Sequence, residues 1–147
     1  MRAITLARLV GHLWASPNTL LALCFGIGGK FAFDRENRVI VAENGWMARL
    51  IHRFGYAGMC VGDVVLSPYD IRRYEPRIYR HELVHATQAR MLGPLYLPLT
   101  FLGYAIGALI YPRCPHDASP LEVWADAASG NADYNQYLNR IRSRKKR

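Results

Sequence analysis

Hydrophobic and polar positions along this chain switch between two periods, and each switch marks an element. Leu6, Leu9, Val10 and Leu13 recur at helical spacing, and a second apolar run extends from Leu20 to Ile27. Ser16-Pro17-Asn18 lies between them. A proline without an N–H interrupts the helical ladder, so the pattern predicts two short helices, the second ended by Gly28-Gly29. Phe31-Ala32-Phe33 and Arg38 to Ala42 flank the polar turn Asp34 to Asn37 and predict a hairpin. Trp46, Leu50 and Ile51 return to helical spacing up to Gly55, and Val61 to Leu66 reads as one strand by its β-branched content. From Pro76 the period is helical again. Ile78, His81, Glu82, His85, Ala89 and Leu92 share one face, and Pro76 at the start with Gly93-Pro94 at the end bound a helix of about Pro76 to Leu92. Ser119 as N-cap and Pro120 as first residue open a further helix.

Met91 to Tyr111 follows neither period. These 21 residues carry no ionisable group other than tyrosine, lie between Arg90 and Arg113, and are long enough to be a transmembrane candidate. Gly103-x-x-x-Gly107 within them permits close helix approach. Pro94 and Pro98 favour a broken or re-entrant path, or a hairpin dipping into one leaflet; a buried lid or core helix is the soluble alternative. The expected fold is α+β, mostly helical with a small antiparallel sheet and apolar membrane-associating segments. Its expected organisation is an apolar segment over 1–29, a metal-binding domain over 30–139 with the apolar insertion 91–111, and a basic tail over 140–147.

The chemistry concentrates in His81-Glu82-Leu83-Val84-His85. Residues four apart on a helix share a face, so both imidazoles can reach one ion, and neutral imidazole suits zinc. Glu82, about 100° round the helix from His81, can reach a water on that ion and act as general base. Glu122 and Asp126, also four apart, share a face of the downstream helix. Glu122 can be the third ligand, with Asp126 an acceptor that orients a ligand imidazole. Alternatively, Ser119-x-x-Glu122 is a capping box, with Glu122 bonded to the Ser119 backbone. A single membrane crossing over 91–111 would part the histidines from Glu122, so a shared ion excludes it. His12 and His52 each stand alone on amphipathic stretches.

His-Glu-x-x-His followed by Glu-x-x-Ala-Asp resembles the gluzincin zinc metallopeptidases over about 50 residues, from Pro76 to Gly130. The resemblance implies a minimal zincin-like core in a small bacterial protein. It also implies Zn²⁺ held by His81, His85 and Glu122, Glu82 as base, and Asp126 behind the ligands. Gluzincins add a His, Tyr or Arg that stabilises the tetrahedral intermediate. No histidine follows Glu122, and Tyr134, His116 and Arg113 are the candidates. The small sheet ahead of the motif either holds an extended peptide substrate at its edge or only packs the motif helix.

Charge and cysteines set the compartment and partners. Net charge is +8, and Arg140, Arg142, Arg144, Lys145, Lys146 and Arg147 contribute six of the positives. Such a tail is a solvated end or an attractor of anionic lipid, and no nucleic-acid motif accompanies it. Cys24, Cys60 and Cys114 have no framework spacing, which points to a reducing compartment. The expected function is a membrane-associated zinc metallopeptidase on the cytoplasmic face of a bacterial inner membrane, acting on a peptide or protein substrate. The alternative is a zinc-stabilised, non-catalytic binding or scaffold protein.

Overall fold

A proline inside a helix orphans the carbonyl four residues back, and here the preceding serine takes that carbonyl. In the computed structural model, which describes residues 6–130, α1 runs unbroken over Leu6–Phe25 with Pro17 inside it. The Ser16 hydroxyl donates to Leu13 O at 2.7 Å, the acceptor that Pro17 cannot serve. The expected break at Ser16-Pro17-Asn18 therefore does not occur. The inward residues of α1 are small or polar (Ala15, Asn18 and Ala22), and its large apolar residues face outward.

The chain divides into two compact units, Met1–Leu97 and Pro98–Arg147, so the boundary falls inside the apolar insertion. In the first, β1 (Lys30–Asp34) and β2 (Val39–Glu43) form the expected antiparallel hairpin, and α2 spans Trp46–Arg53. The β-branched run expected as one strand is instead a second hairpin, β3 (Met59–Val61) and β4 (Val64–Ser67). Gly62-Asp63 forms its two-residue turn, with Gly62 at φ 63°, the positive value this first turn position requires. Strand order is β1-β2-β4-β3, and β2 pairs with β4 in parallel. The sheet is mixed, not purely antiparallel, because the chain crosses over through α2 before returning to pair.

Alternation along the strands builds two cores. Val39, Val41 and Val65 pack with Tyr79 and Ala86 of α4 (Pro76–Leu92). On the opposite face, Ala42, Val64 and Leu66 pack with Ala22 of α1 and Ala48 of α2. The two cores thus occupy opposite faces of the sheet, and α1 also reaches past it to meet α4 directly. The short α3 (Ile71–Tyr74) leads into α4. The Asn18 side chain donates to Gly93 O at 2.6 Å, anchoring the end of α4 to α1.

In the second unit, α5 (Tyr96–Ile110, beginning two residues before the boundary) is followed by α6 (Pro120–Ser129). The glycines of the Gly-x-x-x-Gly pair accept the loop ahead of α6. A Cβ at Gly103 would lie 2.6 Å from Ser119 Oγ, and one at Gly107 3.1 Å from Ser119 N. Among the described residues, the helical run Pro76–Ile110 is the one long and apolar enough to cross a membrane by length and composition.

Candidate metal centre

Helix α4 starts at a proline and ends at Gly93, so the histidine motif lies in its regular interior. His81 and His85 are one turn apart, and their Nε2 atoms stand 3.0 Å from each other. Two nitrogens on one tetrahedral zinc, each ~2.0–2.1 Å from it, stand ~3.3 Å apart, so the pair is near ligand spacing without rotamer change. The same distance suits a hydrogen bond between the rings when one Nε2 carries a proton.

Gln88 selects the tautomer of His85. His85 Nδ1 lies 2.8 Å from Gln88 Oε1, and Gln88 is fully buried. With the amide oxygen accepting, Nδ1 carries the hydrogen and Nε2 presents its lone pair toward His81. Motif reasoning overlooked Gln88. Its signal was its place three residues after His85, on the same helix face.

Glu82 is 5% exposed. Room for its carboxylate comes from Gly58, where a Cβ would lie 3.3 Å from Glu82 Oε1 and 2.7 Å from Ile71 Cδ1. Burial pushes the Cys60 thiol well above its usual range, and the charges of Glu82 and Asp63 raise it further. Cys60 is therefore a protonated core residue, as its apolar neighbours suggested.

Tyr79 holds the first turns of α4 to the sheet. Its hydroxyl donates to Asp34 Oδ2 at 2.6 Å. Burial raises the Asp34 carboxyl, but bonds from the Asn37 side chain, Tyr79 and two backbone amides outweigh it and leave the carboxyl below its ordinary value. A depressed carboxyl stabilises the fold above its unfolded pKa, and that contribution is lost as pH falls through the folded value. Tyr79→Phe should move Asp34 upward toward the ordinary carboxylate range. The variant should be less stable than wild type at neutral pH, with the gap closing in acid; denaturant melts across pH check this.

In the second unit, Glu122 is buried in the first turn of α6. The capping box does not form: Ser119 makes no side-chain cap bond, and its N–H donates to His116 O at 3.0 Å. Instead, Glu122 Oε1 accepts from the Tyr104 hydroxyl at 3.1 Å, and Oε2 lies 3.3 Å from His116 Nε2. The Tyr104 and His116 rings are 5.8 Å apart. His116, one of three candidate stabilisers, thus sits on the proposed ligand. Tyr104 had no local signal, since it belongs to the apolar helix. Asp126 is half-buried one turn along α6, Arg113 is exposed, and Tyr134 lies outside the described residues. No protein-family model, curated protein or solved structure matches this chain.

Proposed function

We propose that this chain is a zinc-dependent hydrolase, a membrane-associated metallopeptidase with a gluzincin-like site. Its ligands are His81, His85 and Glu122, and its general base is Glu82. The observation that carries the reading is the histidine pair, one turn apart with facing Nε2 atoms 3.0 Å from each other and one tautomer selected by Gln88. Glu122, carried by the second unit, completes the ligand set on the strength of the Glu-x-x-Ala-Asp motif that follows the histidines. Two imidazoles and one carboxylate are a donor set that would suit zinc.

Zinc held by these residues would supply a Lewis acid that makes water a usable nucleophile near neutral pH. The chain's own residues do the rest. Glu82 takes a proton at its carboxylate and returns it to the leaving amine. Gln88 keeps His85 ligand-ready. Tyr104 and His116 fix the orientation of the Glu122 carboxylate, and Asp126 is assigned to orienting a ligand imidazole. Membrane association is supported by the outward leucines of α1, with Leu6 77% and Leu13 65% exposed. The partners assigned are an anionic membrane surface, on the cytoplasmic side, and a peptide or protein substrate.

The non-catalytic scaffold reading has one observation in its favour. His85 and Glu82 are both buried, which suits a closed structural site.

Metal stoichiometry of purified protein tests the site. Wild type should hold about one zinc per chain, and Glu122→Ala should lose it; Gln88→Ala should bind ~10–100-fold more weakly through loss of the imidazole orientation. Folded, freshly purified wild type without zinc would overturn the proposal. Glu122 would then be a buried acid held by Tyr104 and His116.

A further inference from the structure

Away from the histidine motif, the first unit contains a cleft of about 480 Å³ lined by Arg8, His12, Glu36, Arg38 and Arg90 among others. Three elements converge on it. Arg8 and His12 are one turn apart on α1, Arg38 closes the β1–β2 turn, and Arg90 comes from the last turn of α4. Gly11 lets α1 come close to this wall, since a Cβ there would lie 3.3 Å from Arg90 Cβ.

The wall is built from mutual bonds. Asp63, 8% exposed, takes Arg90 Nε on Oδ1 at 2.7 Å and His12 Nδ1 on Oδ2 at 2.7 Å. Arg90 Nη2 donates to the Arg38 carbonyl at 3.0 Å and the Asn37 carbonyl at 3.3 Å. Arg38 itself is held at φ 55°, a left-handed conformation uncommon for a residue with a side chain. Backbone held in a sparsely populated region concentrates at binding sites.

The charge balance identifies the ligand class. Arg8, Arg38 and Arg90 carry three formal positive charges against Glu36 and Asp63, an excess of positive charge before His12 is counted. Guanidinium forks match phosphate oxygens in geometry. We propose that this cleft is a binding site for a phosphate group, free or as a phosphoester. Helix geometry favours a soluble source over a lipid headgroup. At 100° per residue, Arg8 and His12 share the face of α1 that carries Ala15, Thr19 and Ala22, whereas Leu6, Leu13 and Leu20 occupy the opposite face. A membrane met by the leucines would lie away from the cleft. The inference does not rest on the metal reading.

The test uses full-length protein, inorganic phosphate as probe, and ionic strength held constant with chloride. Phosphate should raise the melting temperature saturably, and Arg8→Gln with Arg38→Gln should weaken the apparent Kd at least tenfold. Arg8 is exposed, so Arg8→Gln alone should leave the fold intact and still weaken the response. An absent phosphate effect, or one of equal size in the variants, as a second phosphate site on a bound metal would give, overturns the proposal. A parallel arm uses phosphatidylcholine vesicles with and without phosphatidylglycerol. Arginine-dependent binding to the glycerol lipid without any response to free phosphate overturns the soluble source.

Discussion

Glu82→Gln is expected to abolish hydrolysis while leaving zinc and fold in place. The substitution keeps the side chain's volume, so the space beside Gly58 is filled as before. What it removes is the proton acceptor. General base catalysis contributes ~10²–10⁴-fold, and the variant should lose a rate factor of that order. The same change removes a buried carboxylate, so its melting temperature serves as control. Turnover of a mixed peptide library, with zinc content measured in parallel, reads out the effect. Equal turnover in wild type and variant would remove Glu82 from the mechanism. No turnover in zinc-replete wild type would leave the scaffold reading standing.

The second large effect concerns stability. Gly62→Ala should destabilise the first unit strongly, because strain and collision add at that position. A left-handed conformation costs a residue with a Cβ ~1–2 kcal/mol. The new Cβ would also lie 2.5 Å from Thr19 Oγ1 and 2.8 Å from Thr19 Cα, against the body of α1. Forcing atoms into a packed site typically adds ~1–3 kcal/mol. The hairpin turn beside it is further tied by the Thr19 hydroxyl, which accepts from the Asp63 N–H at 2.9 Å. Gly55→Ala separates the two terms, since Gly55 has φ 86° but a Cβ there would meet nothing within 4 Å. Melting temperatures should fall by about 10 °C for Gly62→Ala and by only a few degrees for Gly55→Ala. Equal losses would mean that the approach of α1 is not tight.

These predictions draw on features of different visibility. The motif helix was legible residue by residue, since Pro76, the i,i+4 histidines and the terminal glycine are local signals. The first hairpin was equally plain, with its polar turn between two apolar runs. The second hairpin was marked only by Gly62-Asp63, a two-residue turn signal outweighed by the β-branched residues on either side when the run is read as one strand. Pro17 misled for a related reason. A lone proline predicts a break, and its repair by Ser16 depends on a rotamer that no spacing rule encodes.

At the site, the two histidines and their adjacent glutamate could be named from spacing, and Glu122 was a choice between ligand and cap. Tertiary contacts weigh on that choice, since Tyr104 and His116 hold the Glu122 carboxylate and the Ser119 amide is satisfied elsewhere. The sequence by itself determined the helices bounded by proline and glycine, the first hairpin and the donor atoms available for metal. Only the tertiary structure decided the parallel pairing of β2 with β4, the surroundings of Glu122 and the arginine-lined cleft. The physical reason is range. Helical periodicity and turn chemistry act between residues a few positions apart and leave a pattern in the chain. A bond such as Arg90 to Asp63, or Tyr79 to Asp34, joins groups whose separation in sequence carries no mark of their meeting.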